Sequence, residues 1–367
     1  MVPASASVYD DQMASVHSMA GYLIDNQNDD GGWDWIQPLD DGSGSPGDTD
    51  STTGSTTNTA GATARGLVAA YNVTGNTDYL NAAIDTGKYI VNNNTTEVGA
   101  HKDSLFLKEL DQAMVKAGLD NSYSGKTFAE YAKDNVDNAV NVFESGTYTN
   151  SKGTTFNWDA SLGLEDDIMY AFDEFRGTGS DTYAGLVPWE VGEWAQALYE
   201  IDSATYGTAA SNLSDNLFTS VIGGDGSFGT ADDGYTGPDS YEDWWWGIGL
   251  SGLLEGMATT GSDQGDIDKV VTQLSSMGTY DDFQVGGYYA LAMELAGEKE
   301  LAIAAGLDIH NAFVSDGVSN GSSKVYLESL GEGLHGLSNN PVPEPATMFL
   351  FGIGLLSIAG VSRRRKA

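Results

Sequence analysis

The chain has 367 residues and no cysteine, and 53 acidic residues face 16 basic ones for a net charge of −37. That balance excludes disulfides, thiolate metal sites and cysteine nucleophiles, and it disfavours nucleic acid and anionic membrane surfaces as partners. Neutral sugars and divalent cations remain compatible with it, and 40 % hydrophobic residues are enough for a sizeable core.

At the N-terminus, Ala4-Ser5-Ala6 has the small-residue character of a signal-peptide cleavage box. Residues 1–10 are therefore read as the remnant of a cleavage region, with a leader expected upstream. A first helix is predicted over about 12–26. A long polar segment follows, and within it 42–58 is rich in Ser, Thr and Gly.

From residue 62 onward the pattern is one of helical hairpins. The small, apolar stretch 62–71 leads through Thr74-Gly75-Asn76 to a helix with Leu80, Ala83, Ile84, Gly87, Ile90 and Val91 on one face. Further pairs are predicted at 102–118 with 125–143, 188–201 with 205–219, 243–259 with 263–277, and 284–297 with 299–314. Gly75, Gly118, Gly207, Gly261 and Gly297 punctuate the tight turns. A last helix is predicted over about 323–337. Five hairpins and two flanking helices make twelve helices, and the first and last can pair to close a ring. The expected fold class is all-α: an (α/α)6 toroid over 11–338 whose units stack to bury their faces.

Gln27-Asn28-Asp29-Asp30-Gly31-Gly32-Trp33 follows the first helix. This Gln-x-x-Asp-Gly-x-Trp pattern resembles the repeat of the terpenoid cyclase and protein prenyltransferase superfamily, which implies an α/α toroid. That superfamily's catalytic features are missing here. There is no Asp-x-Asp-Asp motif and no zinc-binding cysteine, so terpenoid or prenyl chemistry is disfavoured.

The connections between hairpins, about 27–57, 94–101, 144–187, 220–242, 278–283 and 315–322, are long and precede inner helices. In a toroid they emerge at one end. The eight tryptophans fall at that rim, where flat apolar faces beside carboxylates suit sugar rings. The candidate glycan-binding residues are Trp33, Trp35, Trp158, Trp189, Tyr241, Trp244 and Trp245. Glycoside cleavage needs two carboxylates about 5–10 Å apart, and the candidates are Asp34, Asp166, Asp167 and Asp243. Asp166 and Asp167 also suit a helix N-terminus. His17, His101, His310 and His335 show no ligand spacing and are read as surface or packing residues. No cofactor is expected. The acidic loops Asp40-Asp41-Gly42-Ser43-Gly44 and Gly224-Asp225-Gly226-Ser227-Phe228-Gly229 have some calcium-site character, but neither follows the EF-hand spacing.

The C-terminal segment 339–367 holds Pro343-Glu344-Pro345, then a chargeless apolar run of 14 residues from Met348 to Val361, then Arg363, Arg364, Arg365 and Lys366. The run is short of the roughly 20 residues of a comfortable membrane helix, and the basic cluster would hold its end in the cytoplasm. Pro-Glu-Pro, apolar helix and arginine cluster together resemble the PEP-CTERM sorting signal. The resemblance implies an exosortase as partner and a short transmembrane sorting helix. It also implies export, anchoring at the inner membrane and then delivery to the cell surface or matrix of a Gram-negative bacterium that makes exopolysaccharide. The expected function is that of an exported surface protein whose toroid binds or processes glycan, as a glycoside hydrolase or polysaccharide lyase if it is an enzyme. The alternative is a structural envelope protein without a ligand.

Overall fold

A computed structural model describes residues 4–38, 54–55, 57–93, 99–149, 153–177, 188–228, 243–276 and 281–342. The sorting tail from Pro343 onward, Tyr241 and the loop 40–44 lie outside the described residues. So do the side chains of Asp243, Trp244 and Trp245.

Six helices form an inner ring. They are α2 (Thr57–Thr74), α4 (His101–Ala117), the first half of α7 (Pro188–Ile222), α8 (Asp243–Thr260), α10 (Phe283–Leu295) and α12 (Leu327–Asn339). Each packs on the next in that order, and α12 returns to α2. Outside them lie α1 (Ala4–Asp25), α3 (Thr77–Asn93), α5 (Phe128–Ser145), the second half of α7, α9 (Gln264–Ser276) and α11 (Lys299–Asp316). α1 packs against α12 and closes the sixth pair. The fold is an (α/α)6 toroid.

The division between inner and outer helices follows from side-chain chemistry. Nine of the thirteen residues of α10 are buried, against three of thirteen in α9. A helix covered on all sides is apolar all round, whereas an outer helix needs only one stripe. The inner helices also approach closely through glycine. A Cβ on Gly192 would stand 2.0 Å from the Gly252 carbonyl oxygen, and one on Gly66 would stand 2.3 Å from that of Gly331.

The long element α7 is two helices joined at Asp202, whose φ of −149° and ψ of 70° are not helical. The Asp202 carboxylate accepts from Thr205 N at 3.2 Å and Thr205 Oγ1 at 2.9 Å, so it caps the second half. The sequence places this break correctly between 201 and 205. Gly207, read as a turn residue, instead lies inside the second half.

Three expectations for the connections need correction. The segment 144–187 is not one loop. It contains the hairpin β4 (Thr147–Thr149) and β5 (Thr155–Asn157), and then α6 (Leu164–Gly177), which packs outside the ring on α5 and α7. Two further strand pairs were also read as loop. These are β2 (Ser122–Tyr123) with β3 (Lys126–Thr127), and β1 (Ile36–Pro38) with β6 (Lys324–Tyr326). Finally, Ala4, Ser5 and Ala6 belong to the first turn of α1, which begins well before residue 12. Among the described residues no helix is long and apolar enough to cross a membrane.

Candidate functional site

The N-terminal ends of α4, α7, α10 and α12 meet at one end of the ring, and a cavity of about 420 Å³ opens there. Its aromatic wall is Trp35, Trp189 and Tyr326, and its polar wall includes Glu190, Asp282, Gln284, Glu328 and Ser329. The β1–β6 pair builds the aromatic corner. Leu327 N donates to the Trp35 carbonyl at 3.1 Å, and the Trp35 and Tyr326 rings meet edge to face with centroids 6.0 Å apart. Both rings remain open, 44 % and 38 % exposed. Asp282 caps α10, its Oδ1 accepting from Gln284 N at 2.9 Å and Val285 N at 3.0 Å.

The floor of this mouth is a buried charged cluster along the ring axis. His101 Nε2 pairs with Glu193 Oε2 at 2.9 Å. Lys102 Nζ lies between Glu328 Oε1 at 2.9 Å and Glu332 Oε1 at 3.0 Å, and 5.3 Å over the Tyr288 ring. Below them a chamber of about 20 Å³, room for about one water, is lined by Arg65, Lys102, Glu193, Tyr288, Glu332 and His335 among others. Arg65 closes it from the far side with a forked bond to Glu109, Nη2 to Oε1 at 2.8 Å and Nε to Oε2 at 3.2 Å. A second opening of about 370 Å³ lies beyond Arg65 and His335 at the other end of the axis.

Electrostatics separates the acids of this cluster. Burial raises Glu193, but Lys102, the bond from His101 and Arg65 outweigh it and hold the carboxyl below its ordinary range. Burial pushes Glu332 up to about 8 against the pull of Lys102. Glu255 is raised well above the carboxylate range by burial and by Glu193, and both its oxygens are without hydrogen-bond partners. His335 is held neutral by burial and by Arg65.

The residues expected from the sequence scatter. Trp35 and Trp189 line the mouth. Trp33 does not: it is 0 % exposed and its indole N–H donates to the Leu23 carbonyl at 2.8 Å. The whole Gln-x-x-Asp-Gly-x-Trp motif is a structural clip. Gln27 Nε2 reaches the carbonyls of Gly31 and Ala82 and the Thr86 hydroxyl, tying the loop to α3. Trp158 is partly buried, with its N–H on the Phe143 carbonyl at 2.9 Å. Asp34 accepts from Gly54 N at 2.8 Å and Asn28 Nδ2 at 3.2 Å, which fixes its own loop. Asp166 faces Asn216 in a lateral cavity between α6 and the second half of α7. Asp167, in the first turn of α6, is 2 % exposed, its carboxyl raised by burial and by Glu144. None of these three acids is among the described residues lining the mouth. In the second acidic loop Asp225 accepts from Ser227 N at 2.8 Å, closing its own turn.

The sequence reading does not find the axial cluster; His101 and His335, read there as surface or packing residues, are both buried beside it. Its signal was present: single charges on helices otherwise made of small and apolar residues, such as Glu255 in Leu253-Leu254-Glu255-Gly256. Glu328, Glu332 and His335 recur at the spacing of one helical face.

Comparison with known proteins adds two findings. The crystal structure of an unsaturated glucuronyl hydrolase specific for heparin superposes with a TM-score of 0.56 at 10 % identity, covering 90 % of this chain and 97 % of the other. At that identity the likeness is one of fold. No curated protein matches the chain. Residues 341–366 match the PEP-CTERM protein-sorting motif, which implies export and exosortase processing. The chain therefore carries a PEP-CTERM protein-sorting motif behind an α/α toroid body.

Proposed function

We propose that this is an exosortase-sorted surface protein whose toroid binds glycan at the mouth of the inner ring. The observation that carries the reading is the pairing of open aromatic faces, Trp35 and Tyr326, with carboxylates and amides in one cavity of about 420 Å³. Aromatic faces stack on pyranose rings and the polar wall takes hydroxyls. The segment 348–361 would hold the protein at the inner membrane of a Gram-negative cell until the exosortase acts. Exopolysaccharide is then the polymer within reach.

Glycan processing is the second reading. It is favoured by the axial acids beneath the mouth, where Glu193 stays ionised and Glu332 keeps its proton near neutrality. Titratable groups whose environments push them apart are the usual basis of acid–base roles. The structural neighbour is named as a glycan hydrolase, which is consistent with this chemistry on this scaffold.

Purified full-length protein titrated with a panel of bacterial and plant polysaccharides tests both. Tryptophan fluorescence reads binding, and reducing ends and unsaturated products read cleavage. Binding lost in Trp35→Ala supports the first reading, and products lost in Glu332→Gln support the second. Silence in every readout leaves a structural toroid without a ligand.

A further inference from the structure

The mouth has a charge character that sorts glycans. Among its described lining residues Glu190, Asp282 and Glu328 supply three carboxylates, while Lys102 is the only ammonium. Lys102 is already held between Glu328 and Glu332. The approach is acidic as well, since the chain carries a net −37 and four of its sixteen basic residues sit at 363–366. A field of that sign steers cations toward a cleft and anions away from it.

The floor shows the same chemistry on the chain's own side chain: an ammonium held between the carboxyl groups of Glu328 and Glu332, over the face of Tyr288. The upper wall offers groups of the same kinds. Trp35 and Tyr326 present open rings that attract cations through their π-faces. Asp282 uses Oδ1 for the α10 cap, so the carboxylate's charge stands at the rim. A separate observation also points to a ligand here. His101 lines the mouth and is 2 % exposed, and its Nδ1 has no hydrogen-bond partner although Nε2 is bonded to Glu193. A buried ring nitrogen left unpaired is costly, and a polar group of a bound molecule would satisfy it.

We infer that the mouth selects glycans bearing free amino groups, a cationic hexosamine polymer in preference to a neutral or uronate one. The inference rests on the glycan-binding reading above. A uronate carboxylate would meet the like charges of Glu190 and Asp282, while the one ammonium among the described lining residues is already paired with Glu328. An acetylated amine would lose both the carboxylate and the cation–π attraction.

The test titrates the full-length protein with four probes of equal length: oligoglucosamine, oligo-N-acetylglucosamine, oligogalacturonate and oligolysine. Oligoglucosamine is expected to bind at least about tenfold more tightly than the other three, a difference of about 1.4 kcal/mol. The gap narrows as salt rises. Glu190→Gln, Asp282→Asn and Trp35→Ala each reduce the preference, with the Asn keeping the α10 cap. Asp173→Asn, on the lateral surface, leaves it unchanged. Equal or tighter binding of the acetylated or uronate probe overturns the inference but leaves glycan binding standing. Equal binding of oligolysine overturns it too, since charge alone would then account for the effect. If no sugar probe and no polysaccharide of the wider panel binds, the glycan reading falls and takes the inference with it.

Discussion

His101 Nε2 lies 2.9 Å from Glu193 Oε2, and both side chains are 2 % exposed. This pair joins α4 to α7 at the floor of the mouth, with Lys102 and Arg65 holding the carboxyl ionised. Removing Glu193 leaves two buried cations undercompensated. Glu193→Ala should cost about 3–5 kcal/mol in denaturant unfolding. The sign of its pH effect follows from its lowered value. The folded state binds fewer protons than the unfolded one, so the stabilisation is complete above the ordinary 4.5 and is lost as pH falls through the folded value. Acid titration of stability should show that loss in the parent protein and not in Glu193→Gln. Coincident acid limbs would refute the assignment.

Glu332 works in the opposite direction. Burial raises it from 4.5 to about 8, so between those values the folded protein holds a proton that the unfolded chain has released. Stability therefore declines as pH rises from about 4.5 to about 8. Glu332→Gln keeps an acceptor for Lys102 without the titration. It should match the parent near pH 5 and exceed it near pH 8 by about 1–3 kcal/mol, less than the full shift implies because the chamber can relax. Melting temperatures across that range check it, and parallel curves would refute it.

The ring itself was legible because a hairpin repeat writes its periodicity into the sequence. Leu80, Ala83, Ile90 and the turn glycines Gly75, Gly118, Gly261 and Gly297 behave as their spacing implies, with all four glycines at φ between 71° and 84°. α6 falls inside the segment read as the connection 144–187, although Asp166 and Asp167 suit a helix N-terminus and do stand in its first turn. The site was legible only in part. Composition at a rim shows which aromatics are near one another in the ring, but not which way each faces. Trp33 and Trp35 are two residues apart, yet the first is fully buried and the second lines the mouth. The axial cluster is not legible as a unit because its members lie on different helices, and only ring closure brings Arg65, Lys102, Glu193 and Glu332 to one chamber.

Close helix approach gives a packing test. Gly192 and Gly252 place α7 and α8 in backbone contact, with a Cβ on Gly252 only 2.3 Å from Trp189 Cα. Both near neighbours are backbone, which cannot swing aside. Gly192→Ala must separate the two helices and should cost about 3 kcal/mol or more, above the usual range for overpacking. Because Trp189 begins α7 at the mouth, the same change should also weaken glycan binding. An alanine variant with parent-like unfolding would show that the ring tolerates a wider α7–α8 spacing.

The two neighbouring tryptophans separate stability from binding. Trp33 is fully buried with its N–H satisfied by Leu23, so Trp33→Ala creates a cavity between α1 and α3 and should cost about 3–5 kcal/mol. Trp35 is 44 % exposed and touches Tyr326 edge to face. Trp35→Ala should change stability by less than about 1.5 kcal/mol, the scale of an aromatic pair, while glycan affinity falls about tenfold or more. The fluorescence response to ligand should shrink without Trp35, leaving the part due to Trp189, and persist in Trp33→Phe, which keeps most of the buried volume. If Trp33→Phe abolished binding while unfolding normally, the division between packing residue and binding residue drawn at the first long loop would be reversed.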